Sequence, residues 1–210
     1  MDYNQVLENS FRKSYSEGLD LWTSDSFLNT HMKNYANSLK GNDRKILDIG
    51  TGKAQNAHTF LEKGFYFAGI DIAQQKEWKV LERNYPEKVK FYHSHFLHWN
   101  NEDNLFTNVL DVGCLHHQRY DDIPNYLKKV SNILTKDGKY LLIVSSYDGE
   151  EENKKMHKVN ILPSGKIRNQ FNALELKFLL GEEFEIESIK RLHNVKRNRF
   201  LLEVISKKRV

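Results

Sequence analysis

From residue 45 to residue 145, short apolar runs alternate with amphipathic segments. Lys45–Ile49 (KILDI) and Tyr66–Asp71 (YFAGID) have the length and β-branched content of strands, as do 89–92, 109–113 and 139–144. Between them, 54–63 reads as a helix ended by Gly64, and 74–84 as a helix that stops before Pro86. A further helix starts at Asp121/Asp122 with Pro124 in its first turn and runs to 134, followed by an Asp137-Gly138 turn. Strand–helix alternation of this kind predicts βαβ units and a parallel sheet. The flanks differ. Residues 1–40 are helical additions, with 26–39 the clearest helix. Residues 148–170 form a polar excursion. Asn172 followed by Glu175 is an N-cap signature for a helix over 173–180, closed by Gly181. The stretches 184–192 and 199–206 then predict a terminal antiparallel hairpin. The chain divides into a helical extension (1–43), a core (44–145) and a late segment (146–210) of one α/β domain.

Composition narrows the class. At 210 residues, 39% hydrophobic and 29% charged, the chain can bury a real core. Its single cysteine, Cys114, excludes an internal disulfide and a multi-cysteine zinc site. No apolar run has the length of a membrane span, and the first residues lack an apolar signal region, so a cytoplasmic protein is expected. The net charge of +4 is too small to argue for nucleic acid.

Chemistry concentrates at the exit of the first predicted strand, in Asp48-Ile49-Gly50-Thr51-Gly52-Lys53-Ala54. Two glycines permit a tight turn and close backbone approach to a ligand. The next strand ends on Asp71, where a carboxylate can accept both hydroxyl hydrogens of a ribose. Together they point to a cofactor carrying a nucleoside. A phosphate-binding P-loop is excluded, since its GxxxxGK[ST] pattern is missing. A dinucleotide fingerprint needs a third small residue where Gln55 stands.

These residues resemble the class I S-adenosylmethionine-dependent methyltransferases. DIGTGKA matches their D-x-G-x-G-x-G turn with Ala54 in the third glycine position, followed by GID ending at Asp71. DVGCLHH (111–117) is similar to a D-x-G-x-x-H-H block of small-molecule methyltransferases, and ILTKDGKYLLIV (133–144) to the family's segment of a leucine, a turn and a strand. The resemblance implies a single Rossmann-like domain. It would have a mostly parallel seven-stranded sheet, a terminal antiparallel hairpin and helices on both faces. It implies that Asp48, Gly50, Thr51 and Gly52 form the cofactor turn, that Asp71 takes the ribose, and that Ile72 lies against the adenine. Asp111, or its backbone carbonyl, would lie near the cofactor amino group. Where the family carries an acid for the adenine amino group, this chain has His95, so the adenine grip is expected to rest more on Phe96.

Methyl transfer needs an aligned nucleophile and sometimes a base near neutral pKa. His116 and His117, at the carboxyl end of the fourth predicted strand, are the catalytic candidates, against a reading as loop fillers. His93, His95, His98, His116 and His117 follow two neighbouring strands and could form a metal site, but a hard metal wants carboxylates and zinc a fixed set of imidazoles or thiolates, so no metal is expected. Strand alternation would put His93 and His95 on one face. Cys114 has no triad around it beyond those histidines and reads as a small hydrophobe. By the same resemblance, an N-terminal segment folds over the cofactor as a lid, which makes Trp22 and Tyr15 pocket-wall candidates. The plainer reading of Trp22 is helix-to-core packing. Arg168 would suit a substrate carboxylate or phosphate, or is an ordinary solvated arginine.

The expected activity is methyl transfer to O, N or S of a small, possibly anionic, molecule. The alternatives are methylation of a nucleic acid or protein, and a silent cofactor-binding module. The basic excess lies in residues 190–210, which hold Lys190, Arg191, Lys196, Arg197, Arg199, Lys207, Lys208 and Arg209 against Glu203. The first five are expected as a rim near the acceptor, the last three as a solubilising tail.

Overall fold

A computed structural model describes residues 2–20, 22, 25–39, 44–101, 105–147 and 157–210. Seven strands form one mostly parallel sheet in the order β3-β2-β1-β4-β5-β9-β8, and two more form a separate hairpin, β6-β7. The strands are β1 (Lys45–Ile49), β2 (Tyr66–Asp71), β3 (Val89–His93), β4 (Phe106–Val112), β5 (Leu134–Ser145), β6 (His157–Ile161), β7 (Ile167–Phe171), β8 (Phe184–Asn194) and β9 (Arg199–Lys208). The helices are α1 (Tyr3–Ser16), α2 (Ser26–Ser38), α3 (Ala57–Leu61), α4 (Lys76–Asn84), α5 (Ile123–Ile133) and α6 (Ala173–Leu180). The chain forms two compact units, residues 1–102 and 103–210.

In the first unit, β1, β2 and β3 pair in parallel, Lys45 opposite Tyr66 and Phe67 opposite Val89. Ile46 to Ile49 and Phe67 to Asp71 are buried without interruption, as expected of parallel strands covered on both faces. Asp2 and Asp25 cap α1 and α2 through the amides of Asn4 and Phe27. Leu28, Met32, Tyr35 and Ala36 make the buried stripe of α2 at helical spacing. Gly69 lies in the middle of β2 for a steric reason. A Cβ there would sit 2.7 Å from both Phe91 and the Thr51 methyl. The expected helix over 54–63 shrinks to Ala57–Leu61. Ala54 has φ +58°, a left-handed conformation that cannot begin a helix.

In the second unit, β4 pairs in parallel with β5, while β9 runs antiparallel to both β5 and β8. Two boundaries move. The fourth strand starts at Phe106 rather than 109, because Thr107 and Asn108 hide its beginning in the sequence. The fifth starts at Leu134, directly after α5. Its register with β4 then shifts between the Phe106–Leu134 and Asn108–Lys139 pairs, so the Asp137-Gly138 turn is an irregularity inside the strand.

Residues 148–156 of the expected polar excursion lie outside the described residues. Its remainder is not loop but the hairpin β6-β7, with Gly165 at φ +81° in the turn. Asn172 caps α6 by accepting from the Glu175 amide at 2.8 Å, as the sequence predicts. The end of the chain is stitched down rather than a loose tail. Lys207 pairs with Asp137 at 2.7 Å, Lys208 donates to the Leu134 carbonyl at 3.0 Å, and Arg209 to the Phe184 carbonyl at 3.1 Å.

Gly69→Ala should destabilise the protein by about 1–3 kcal/mol, the usual effect of overpacking a filled site. In urea unfolding the midpoint should fall with the slope unchanged. A midpoint equal to the parent's would show that Phe91 and Thr51 move aside freely.

Candidate functional site

The first unit builds a turn at the carboxyl ends of β1 and β2. The amides of Gly50 and Thr51 both donate to the Ile70 carbonyl, at 2.8 and 3.1 Å, which ties the turn to β2. Gly50 and Gly52 adopt φ of +72° and +52°, the conformation for which glycine is suited. Buried Asp48 accepts from the Thr51 hydroxyl at 3.0 Å and the Asn56 amide at 3.2 Å, so it shapes the turn from beneath. Trp78 of α4 donates its indole N–H to the Gly52 carbonyl at 2.8 Å and stacks on Phe91. Sequence reading missed this anchor, since Trp78 and Leu81 look only like a core stripe.

Asp71 joins two backbone segments. One oxygen accepts from the Gly52 amide at 2.9 Å and the other from the Ala73 amide at 2.8 Å. The Tyr15 hydroxyl of α1 reaches the first oxygen at 3.5 Å. A Cβ on Gly52 would meet that hydroxyl at 2.8 Å, so the glycine also makes room for α1. Burial pushes the Asp71 carboxyl up to about 6, against the lowering effect of the Ala73 and Gly52 amides and with a further rise from the Asp20 charge. Ile72 follows, its carbonyl accepting from His93 Nε2 at 2.9 Å.

His95 does not lie on β3, which ends at His93, so the shared-face argument for the two histidines fails. His95 instead caps the short turn Phe96–His98, its Nδ1 accepting from the Leu97 amide at 3.3 Å. Phe96 is buried. Trp22 is half-buried, its amide bonded to Asp20 at 3.0 Å, and Tyr15 reaches the turn through Asp71. Among the described residues no group of three His, Cys, Asp or Glu side chains is placed to hold a metal.

In the second unit, the residues after β4 are organised by Asp111. Its carboxylate, 0% exposed, accepts from the amides of Cys114 at 2.8 Å and Leu115 at 3.1 Å. It also accepts from the hydroxyls of Tyr126 at 2.6 Å and Tyr140 at 3.2 Å. Burial still pushes it up to about 6. The side chain is therefore bonded within its own fold. Half-buried Cys114 accepts at Sγ from Gln118 at 3.7 Å.

His116 and His117 form a short turn, and both are buried. Their rings meet edge-on with centroids 4.3 Å apart. His117 Nδ1 lies 2.6 Å from the Ile167 carbonyl; a carbonyl only accepts, so Nδ1 carries the proton and Nε2 the lone pair. His116 is the opposite tautomer, since its Nδ1 accepts from the Ser145 amide at 3.3 Å. Asn169 of β7 holds the turn by donating to the carbonyls of His116 at 3.2 Å and Gln118 at 2.7 Å. Burial, His117 and the cations Arg168, Lys166 and Arg199 hold His116 well below its ordinary value. Burial with Lys166 and Arg168 takes His117 down to about 3. Arg168 thus stands on β7 beside the residue that fixes His117. Nearby, Tyr120 donates to buried Glu175 at 2.9 Å.

The buried neutral histidines set a pH dependence. Unfolded, His117 titrates near 6.5; folded, near 3. Its contribution to stability is complete above 6.5 and is lost as pH falls through that value, because only the unfolded chain takes the proton. From pH 7 to pH 5 the parent should lose about 2 kcal/mol more than His117→Gln, read from urea unfolding at both pH values. Equal losses would mean that His117 is solvated.

Residues 46–138 match the family described as a methyltransferase domain. An uncharacterized methyltransferase of Schizosaccharomyces pombe is 29% identical over 99 residues, 46% of this chain and 68% of that protein. The crystal structure of Burkholderia thailandensis 1,6-didemethyltoxoflavin-N1-methyltransferase, with bound 1,6-didemethyltoxoflavin and S-adenosylhomocysteine, is 26% identical. It superposes with a TM-score of 0.89 over 99% of this chain and 89% of its own. The N-methyltransferase NodS of Bradyrhizobium japonicum, in complex with S-adenosylhomocysteine, shares the fold at 12% identity, with a TM-score of 0.69 over 100% of both chains. Both the left-handed glycine turn, which has no room for a Cβ at Gly52, and the buried carboxylate ending β2 fit the nucleoside cofactor of that family. The methyltransferase-domain match and the neighbours holding S-adenosylhomocysteine together support a class I S-adenosylmethionine-dependent methyltransferase.

Proposed function

We propose that this enzyme methylates an O, N or S atom of a small molecule. On this reading Asp48, Gly50, Thr51 and Gly52 shape the seat of the cofactor and Asp71 takes its ribose hydroxyls. Ile72, His95 and Phe96 line the adenine side, and the Asp111 carbonyl faces the amino group. The observation that carries the reading is the Asp71 carboxylate, buried at a strand end and bonded to the Gly52 and Ala73 amides. A carboxylate has about four acceptor positions. Tyr15 stands farther from the carboxylate, at 3.5 Å, than either amide and is the partner a ribose hydroxyl would replace. When bound, the cofactor supplies an electrophilic methyl group, so the chain's task is alignment.

His116, His117, Trp22 and Arg168 belong to the acceptor side of this proposal. A small acceptor is supported by the small substrate bound to the Burkholderia protein, which aligns over nearly the whole chain. The terminal cations speak against a nucleic-acid surface. Lys207, Lys208 and Arg209 are engaged within the fold, and Arg191 donates to the Tyr147 carbonyl and lies over the Phe200 ring.

Calorimetry with S-adenosylmethionine and S-adenosylhomocysteine tests the reading. Asp71→Ala should weaken both by about 1.5–3 kcal/mol, the range for charge-assisted hydrogen bonds. Because the Asp71 carboxyl titrates near 6, parent affinity should also fall as pH drops through that value, the protonated form losing one acceptor position. Undiminished affinity in Asp71→Ala would remove the ribose assignment. No binding of either compound at millimolar concentration would remove the function.

A further inference from the structure

Trp78 combines a buried ring with a polar handle. The ring, 3% exposed, stacks on Phe91 with planes 10° apart. Phe91 lies opposite Gly69 in the pairing of β2 with β3, and a Cβ on Gly69 would meet it at 2.7 Å. The missing side chain at Gly69 thus seats Phe91 across β2, and Phe91 seats the indole. For that packing a phenylalanine would serve. What the indole adds is the N–H that reaches the Gly52 carbonyl at 2.8 Å. On its other side Gly52 donates its amide to Asp71 at 2.9 Å. A residue at φ +52° is therefore held at both of its peptide groups by side chains, one from α4 and one from β2. Glycine has the widest backbone freedom, so these two bonds restrain the position most able to turn.

Resting on the methyltransferase reading above, we propose that Trp78 is a positioning residue for the cofactor. Its N–H fixes the peptide that follows Gly52, which keeps the Gly52 amide aimed at Asp71 and the carboxylate aimed at the ribose. Trp78 acts through Gly52 and Asp71. The groups that face Asp71 are the amides of Gly52 and Ala73, the Tyr15 hydroxyl from α1 and the charge of Asp20, which follows α1. Of these, the Gly52 amide belongs to the residue that the indole holds. Released from the indole, Gly52 turns, and Asp71 loses a donor that lowers its pKa. The carboxyl then takes its proton at higher pH and offers the ribose one acceptor position fewer. A ring that only packed α4 would change stability and leave this titration where it is.

The test is calorimetric affinity for S-adenosylhomocysteine, measured on the whole protein across the pH range in which Asp71 titrates. Trp78→Phe keeps a ring against Phe91 and removes the N–H. It should weaken binding about fivefold at neutral pH, the effect of one lost hydrogen bond. The pH at which affinity falls, set near 6 by Asp71 in the parent, should move upward. Leu81→Val thins the same buried stripe of α4 and keeps the indole. It should lower the urea midpoint and leave affinity and inflection at the parent's values. Coupling is reciprocal, so the indole should respond in turn. The chain has three tryptophans, and Trp22→Phe and Trp99→Phe assign the Trp78 indole in 15N NMR of the parent. Its Nε1–H signal should shift through the Asp71 titration, and its proton should exchange more slowly with S-adenosylhomocysteine bound. This second arm decides the matter where Trp78→Phe does not fold. Parent affinity in Trp78→Phe, an inflection that stays or falls, or an equal loss of affinity in Leu81→Val would each overturn the inference. So would an indole signal indifferent to both pH and ligand. Any of these with S-adenosylhomocysteine bound to the parent overturns this inference alone. No binding by the parent overturns the underlying reading as well.

Discussion

A carboxylate at the end of β2 holds two stretches of backbone in place at once. Asp71 bonds the amide of Gly52, in the turn after β1, and that of Ala73, in its own exit turn. Removing it from water opposes its charge, and two amides with a distant phenol do not fully offset that. Its pKa near 6 records that burial outweighs these donors, with the Asp20 charge adding to the rise. Gly52 is tied in turn to α4 through Trp78 and to α1 through Tyr15, so the first unit converges on this one charge. Asp111 shows the contrasting solution. It has a similar pKa, and it accepts from two backbone amides and from two tyrosines at 2.6 and 3.2 Å. The same chemistry gives a closed structural clasp in one unit. In the other the third partner, Tyr15, stands at 3.5 Å, longer than either amide contact.

The sequence is most readable where chain geometry restricts residue choice locally. KILDI and YFAGID are strands with the bounds expected of them, because strands covered on both faces read as unbroken apolar runs. The glycine turn is legible because left-handed backbone demands glycine. Ala54 breaks that rule at about 1–2 kcal/mol, and the same conformation delays α3. The hairpin β6-β7 escapes detection because it is only half covered. Its strands VNI and IRNQF mix apolar side chains left in water with polar ones buried under the histidine turn. Trp78 escapes because its partner is a backbone carbonyl 26 residues away, which no periodicity encodes.

The roles of the two histidines lie further from the sequence. Adjacent, identical residues become opposite tautomers because one faces a backbone donor and the other a backbone acceptor. The donor is the Ser145 amide at the end of β5, and the acceptor is the Ile167 carbonyl on β7. Their pairing with elements 29 and 50 residues away is a property of the fold alone.

Those tautomers bear on what the second unit can do. Both imidazoles are held neutral, His117 down to about 3, by burial and by neighbouring cations. A general base tuned to neutral pH would need the opposite environment, a carboxylate partner that stabilises the imidazolium. The Ile167 carbonyl orients His117 without supplying that charge, so the ring keeps one hydrogen-bond polarity across the physiological range. On the proposed function, pH sensitivity of cofactor binding near 6 belongs to Asp71, while His117 does not change charge in that range.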